Sequence, residues 1–268
     1  MDKKTFDEFR RVVYEKSGIT LHEGKEALVA ARTGKRMRAL GIENHRQYLD
    51  YILHDRTGSE VIQLLDVIST NVTHFFREST HFNFLGQQLG ILISSGQNKI
   101  RIWCAASSSG EEPYSIAMTF LENCNGFRGD MRILATDIST KVLTTAIRGF
   151  YSKEKTKDIP PLLKDRYFEP AKVDNTDGYL VRKSVRDMIT FSRLNLSAPP
   201  FPMHGPFDFI FCRNVMIYFD NEVRRKLIVE IHRLLKPGGF LIVGHAESLT
   251  GFQTQLKSVK PSVYIKEK

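Results

Sequence analysis

Cysteine is scarce in this chain: Cys104, Cys124 and Cys212 are the only three among 268 residues. Their number is odd and no two share a C-x-x-C spacing, which predicts reduced thiols in a cytoplasmic protein. No apolar run approaches the ~18–20 residues of a membrane span, so direct membrane insertion is not expected. The opening MDKKTFDEFRR lacks the apolar core of a signal peptide. The eight histidines are scattered, with no H-E-x-x-H or other ligand spacing, so no metal is expected. No G-x-S-x-G elbow or Cys–His pattern offers a nucleophile. The G-x-G-x-x-G fingerprint is missing too, and with it the pyrophosphate cradle of dinucleotide sites.

What is present is globular. Hydrophobic residues make up 41% and charged residues 26% of the chain. A net charge of +9 favours an acidic partner, which nucleic acid, a carboxylate-rich protein and an anionic membrane would all satisfy.

The most informative segment begins with a strand-like run, Ile100 to Ala106 (IRIWCAA). It leads into Ser107-Ser108-Ser109-Gly110, then Glu111-Glu112-Pro113 and a helix-like stretch, Tyr114 to Leu121. A second strand, Met131 to Ala135, ends in Thr136-Asp137. In dinucleotide folds an acidic residue at the tip of the second strand holds the ribose hydroxyls. Asp137 is placed for that role, and the small residues of the first loop let a ligand approach the backbone. A nucleoside site without a pyrophosphate cradle points to S-adenosylmethionine before NAD.

The residues before this segment read as short helices, with Phe6, Phe9 and Val13, and then Tyr48, Leu49, Ile52 and Leu53, at helical spacing. A third helix is expected over Glu60 to Ser69. We read residues 1–78 as a helical N-terminal domain and 79–268 as an α/β domain. Expected strands are Ile100–Ala105, Arg132–Thr136, Met188–Leu194, Phe207–Cys212 and Phe240–Gly244. Helices are expected at His81–Ile93, Pro113–Asn123, Thr140–Arg148 and Glu222–Leu235. Lys236-Pro237-Gly238-Gly239 reads as a helix stop with its turn. Tyr179–Ser184 and Met188–Leu194 flank Val185-Arg186-Asp187 like a hairpin, suggesting a small β insertion at about 165–194.

Three further segments invite a functional reading. Arg213-Asn214 follows an apolar strand of buried character, where ligands of open α/β sheets bind. Asn71 to Arg77 lies at the junction of the two parts, a favoured place for small-molecule sites. Arg32, Lys35 and Arg36 share one helical face with Arg38 close by, although Gly34 weakens that helix by ~1 kcal/mol.

Taken together, these segments resemble the chemotaxis receptor methyltransferases of the CheR type. The resemblance rests on NVTHFFRE (Asn71–Glu78), AASSSGEEPYSIA (Ala105–Ala117), ATDIS (Ala135–Ser139), Asn195-Leu196, FDFIFCRNVMIYF (Phe207–Phe219), LLKPGG (Leu234–Gly239) and GHAES (Gly244–Ser248). It implies an S-adenosylmethionine-dependent methyltransferase (Rossmann-like) α/β domain with an inserted small β subdomain and a small all-helical N-terminal domain. The implied activity is methylation of glutamate side chains on the cytoplasmic helices of transmembrane chemoreceptors, with S-adenosylhomocysteine as product. Implied cofactor contacts fall on Asn71, Thr73, Arg77, Glu111, Asp137, Asn195, Leu196, Cys212, Arg213 and Asn214. Arg77 and Tyr218 match positions near the transferred methyl group, and Arg32, Lys35, Arg36 and Arg38 would dock acidic receptor helices. Some members carry a glycine-flanked loop in the β subdomain that binds a receptor's C-terminal tether. Phe168 to Gly178 (FEPAKVDNTDG) has no G-x-G there, which leaves tether binding open.

Glutamate, with an ordinary pKa of ~4.3, is ionised at neutral pH and needs no catalytic base. A nucleic-acid methyltransferase fits the charge, but Arg213-Asn214-Val215-Met216 is no N-P-P-Y loop. A non-catalytic S-adenosylmethionine-binding module that docks on receptors would be expected to have an eroded cofactor loop, whereas Gly110, Glu111 and Asp137 are in place. The expected protein is a monomer that binds no nucleic acid.

Overall fold

The computed structural model describes residues 1–267. Four helices come first: α1 (Lys3–Ser17), α2 (Glu26–Leu40), α3 (His45–His54) and α4 (Ser59–Ile68). Asp2 caps α1 by accepting from the Thr5 amide at 2.9 Å, and Asn44 caps α3 from Gln47 at 3.0 Å. Gly18, at φ 70°, turns the chain out of α1. The apolar residues that mark these helices in the sequence, Phe6, Phe9, Val13, Tyr48, Leu49 and Ile52, are buried in one cluster.

α2 runs unbroken through Gly34 because tertiary contacts outweigh propensity. Arg36 makes a two-pronged contact (2.9 and 2.6 Å) with the buried carboxylate of Glu60 on α4, and the Tyr48 hydroxyl donates to the same group at 2.8 Å.

α5 (Thr80–Ser94) leads into the α/β part: β1 (Lys99–Cys104), α6 (Glu111–Asn123), β2 (Asp130–Asp137) and α7 (Thr140–Arg148). Next come β3 (Phe150–Ser152), α8 (Pro161–Tyr167), β4 (Phe168–Val173), β5 (Thr176–Val181), α9 (Lys183–Arg186) and β6 (Ile189–Arg193). The chain continues through β7 (Phe207–Cys212), α10 (Asn221–Leu234), β8 (Leu235–Val243), β9 (Leu256–Lys260) and β10 (Val263–Lys266). Seven strands form one sheet in the order β6-β2-β1-β7-β8-β10-β9. β1, β2, β6, β7 and β8 pair in parallel, and β10 is antiparallel to both its neighbours. Every residue of β7 is buried, as expected of a strand covered on both faces, and its one charged residue, Asp208, accepts from the Arg101 amide at 2.8 Å and from Lys236 at 3.0 Å.

Two expectations are corrected. The hairpin is β4–β5, turning through Asp174 (φ 47°) and Asn175 (φ 59°), and β3 completes a separate three-stranded sheet. Val185-Arg186-Asp187 is no turn between strands: Lys183–Arg186 is a short helix, and the following strand pairs with β2 in the large sheet. Ile189 is buried there, which fixes its side of the sheet. The closing strands β9 and β10 were not expected. β9 has four exposed residues in five and gives no apolar signal.

Candidate active site

β1 lies between β2 and β7, so the strand order reverses at its carboxyl end. Ligands of open α/β sheets bind at such a point. A cavity of 340 Å³ opens there, within the roughly 300–1,000 Å³ of small-molecule sites. The sheet contributes Ala105, Ala106 and Ser108 after β1, Asp137 at the tip of β2, Leu194 to Leu196 after β6, and Arg213-Asn214 after β7. The facing wall is helical, with Ile19 to His22 after α1 and Val29 and Arg32 on α2. Asn71, Thr73 and Arg77 of the connecting segment close a third side.

Asp137 is fixed by the backbone around it. Its Oδ2 accepts from the Ser108 amide and its Oδ1 from the Ser139 amide, both at 2.9 Å. Burial pushes its pKa up, and these amides oppose the shift. A carboxylate has about four acceptor positions, so lone pairs remain for ribose hydroxyls. Ser108 adopts φ 47°, the left-handed turn that aims its amide at Asp137.

Arg213 anchors the strand ends. It is buried, pairs with Glu112 and with Glu78 at 3.0 Å, and donates to the Arg77 carbonyl. Burial alone would lower its pKa, but the two carboxylates outweigh it and the guanidinium is held above its ordinary value. Asn214 turns the chain at φ 57°. Its amide donates to Glu247 Oε2 at 2.7 Å and its side chain to Glu78 at 3.2 Å. Glu247 also accepts from the Gly244 amide at 2.7 Å. A Cβ at Gly244 would lie 2.4 Å from the Asn214 side chain, which explains the glycine of the GHAES segment.

Arg77 donates to the Val72 carbonyl at 2.9 Å and has no ion pair among the described residues, so its charge faces the cavity uncompensated. Tyr218 lines the same cavity from a 3-10 turn, Met216–Tyr218. Thr20 Oγ1, on the facing wall, is buried with no hydrogen-bond partner. Together with the small residues after β1 and the free lone pairs of Asp137, it makes a polar cradle that fits a nucleoside.

Of the expected site residues, the structure brings Asn71, Thr73, Arg77, Asp137, Asn195, Leu196, Arg213, Asn214 and Tyr218 to this cavity. It does not bring Glu111 or Cys212. Glu111 is buried behind the loop, bound to Lys155 at 2.6 Å and to Ser109 at 2.7 Å. Successive helical residues are about 100° apart, and it is Glu112 that faces the cavity. Cys212 packs in the apolar core, where burial drives its thiol pKa well up. The side chain of Asn195 lines the wall but is already engaged with the Lys16 carbonyl at 2.9 Å and with Ser197.

The expected docking face also divides. Arg32 lines the cavity, bound to Ile68 and Thr70, and Arg36 is tied to Glu60, so only Lys35 and Arg38 are freely exposed. Glu78, Glu112 and Glu247, which organise the strand ends, were not singled out. Each lies inside a motif segment but has no spacing of its own that announces a role. Glu78, His81 and His245 place potential metal-ligand atoms within 4.8 Å of one another. Arg213 and Asn214 already occupy that carboxylate, and the guanidinium would repel a cation.

This sheet, with its antiparallel β10 and a nucleoside cradle at the switch point, defines an S-adenosylmethionine-dependent methyltransferase. Residues 71–265 match the family model described as CheR methyltransferase, SAM binding domain, and residues 4–69 match the CheR methyltransferase all-alpha domain. A "Chemotaxis protein methyltransferase" of Borreliella burgdorferi is 38% identical over 272 residues, covering 98% of this chain and 95% of that one. The Escherichia coli protein of the same name is 35% identical, over 96% of this chain and 89% of its own. "Chemotaxis protein methyltransferase 2" of Pseudomonas aeruginosa is 36% identical, over 98% and 92%. The chain belongs to the CheR methyltransferase family, and its cofactor is S-adenosylmethionine.

Proposed function

We propose that this enzyme methylates glutamate side chains of chemoreceptors, forming glutamate methyl esters for sensory adaptation. The observation that carries the reading is the Arg77 cation, without an ion pair among the described residues, lining the same cavity as Tyr218, a setting suited to an incoming carboxylate. The names of the relatives point the same way.

S-adenosylmethionine supplies a methyl group made electrophilic by its sulfonium. Asp137 holds the ribose, and Asn71, Thr73, Asn195, Leu196, Arg213 and Asn214 complete the cofactor wall. Arg77 orients the glutamate carboxylate and Tyr218 lines its approach. With the cofactor bound, a glutamate carboxylate oriented by Arg77 would take the methyl group on one oxygen, and S-adenosylhomocysteine would leave. No proton moves, so catalysis rests on in-line positioning, which can supply several kcal/mol. The reading places the enzyme in the cytoplasm as a monomer acting on receptor helices. Lys35 and Arg38 remain as the basic docking contacts.

Incubation with labelled S-adenosylmethionine and receptor-containing membranes tests this. Base-labile label on receptor glutamates is the expected result. Label on nucleic acid, or none at all with cofactor bound, would refute it.

A further inference from the structure

We propose that Tyr151 and Lys155 are positioning residues that hold the cofactor loop, Ser107 to Gly110, from the three-stranded sheet. The loop is tied from two directions. Its first half belongs to the cavity: the Ser108 amide donates to Asp137 at 2.9 Å and the Ser108 hydroxyl to the Asn71 carbonyl at 3.1 Å. Its second half is gripped from behind. The Tyr151 hydroxyl, on β3, donates to the Ser109 carbonyl at 2.7 Å. Lys155, three residues past that strand, donates to Glu111 at 2.6 Å and to the Ser109 hydroxyl at 3.2 Å.

Both grips are specific. The Glu111 side chain is 1% exposed, so Lys155 supplies the charge partner of a buried carboxylate. Removing one partner of such a pair leaves an uncompensated charge, which draws in water or shifts the chain. Gly110 sits at φ 98°, and a Cβ there would lie 2.8 Å from the Tyr151 hydroxyl and 2.9 Å from Ala146, so loop and tyrosine are closely fitted. The Tyr151 ring also meets Phe75 edge-on at 4.9 Å, joining the grip to the segment that carries Asn71 and Arg77. Neither Tyr151 nor Lys155 lines the cavity, so each acts on the cofactor through the loop.

The inference rests on the proposed seat of the cofactor against Ser108 and Asp137, and its test separates the two ideas. Binding of S-adenosylhomocysteine is measured by calorimetry for Tyr151→Phe, Lys155→Met, Lys155→Arg and Asp137→Ala. Tyr151→Phe and Lys155→Met are each expected to raise Kd about tenfold, the scale of one lost buried bond. Lys155→Arg, which keeps a cation at Glu111, should recover most of the affinity. In turnover, KM for S-adenosylmethionine should rise while receptor KM stays at the wild-type value. The double variant Lys155→Met/Glu111→Gln, with no buried charge left, should bind better than Lys155→Met alone. If Asp137→Ala weakens binding while Tyr151→Phe and Lys155→Met bind as wild type, the grip is refuted and the cofactor seat stands. If Asp137→Ala binds as wild type, the seat itself fails, and the grip with it. Equal losses in Lys155→Arg and Lys155→Met would also refute the charge pairing. Should Lys155→Met fail to fold, Tyr151→Phe, which keeps its ring against Phe75, decides the matter.

Discussion

The Thr20 amide donates to the Tyr218 carbonyl across 2.8 Å, and beside it Ile19 and Phe219 form an antiparallel bridge. The residue proposed to line the methyl approach is thus held by the segment after α1. The Tyr14 hydroxyl adds a bond to Asp220 at 2.6 Å. The helical N-terminal part therefore forms one wall of the site. Thr20→Pro removes the donor. Methyl transfer at saturating cofactor should fall about two- to tenfold, the equivalent of a net hydrogen bond of ~0.5–1.5 kcal/mol. A wild-type rate in a variant with unchanged circular dichroism would detach Tyr218 from this wall.

Asp137→Ala should weaken S-adenosylhomocysteine binding by about 1.5–3 kcal/mol, the scale of hydrogen bonds to a charged group. Because burial raises the Asp137 pKa, its carboxylate takes up a proton at a higher pH than an ordinary aspartate. Affinity should therefore decline as pH falls through that raised value. Calorimetric titration across acidic pH follows it, and a flat profile in the wild type would contradict the assignment.

Tyr218→Phe separates binding from chemistry. If the hydroxyl acts in the transition state, kcat should drop more than cofactor affinity. Single-turnover methylation at saturating cofactor measures the difference, and equal rates would leave Tyr218 a packing role.

The basic residues of α2 should behave differently from one another. Lys35→Glu with Arg38→Glu should raise receptor KM modestly and leave S-adenosylhomocysteine binding intact, since each exposed pair is worth about 0.2–1 kcal/mol. Arg36→Glu should instead destabilise the fold by about 3–5 kcal/mol, because it strands the buried Glu60. Thermal melts and receptor titrations distinguish the two, and matching effects would mean α2 presents one uniform face.

His81 links stability to pH. It is buried, neither ring nitrogen has a hydrogen-bond partner, and burial pulls its pKa down to about 4. The unfolded chain, with an ordinary histidine pKa near 6.5, binds the proton first as pH falls. The contribution is complete above about pH 6.5 and is lost between there and about pH 4, up to roughly 3 kcal/mol. Melting temperatures of the wild type and His81→Gln should converge toward pH 4.5. Parallel curves would show that His81 does not titrate in this window.

Much of this protein was legible in one dimension. The strand-length apolar runs at Ile100, Arg132, Phe207 and Phe240 lie in strands of the large sheet with buried residues, whereas Met188–Leu194, expected as half of a hairpin, became its mostly exposed edge strand β6. Asp137 could be placed as well: the tip of the second strand is fixed by topology once the strand–turn–helix before it is recognised. β9 was not legible because four of its five residues are exposed, and β10 is only four residues long.

Direction and pairing belonged to the tertiary structure. Glu111 and Glu112 are adjacent and chemically identical, and only the seating of α6 on the sheet turns one toward Lys155 and the other toward the cavity. Lys35 and Arg36 differ as little in sequence, yet Glu60 on a distant helix takes one and leaves the other in water. The sequence by itself determined the main helices and the parallel strands of the large sheet, because local periodicity and turn chemistry act over a few residues. Which charged groups became scaffold and which stayed free for function was decided by contacts between residues far apart in the chain, where burial makes an unpaired charge too costly to keep.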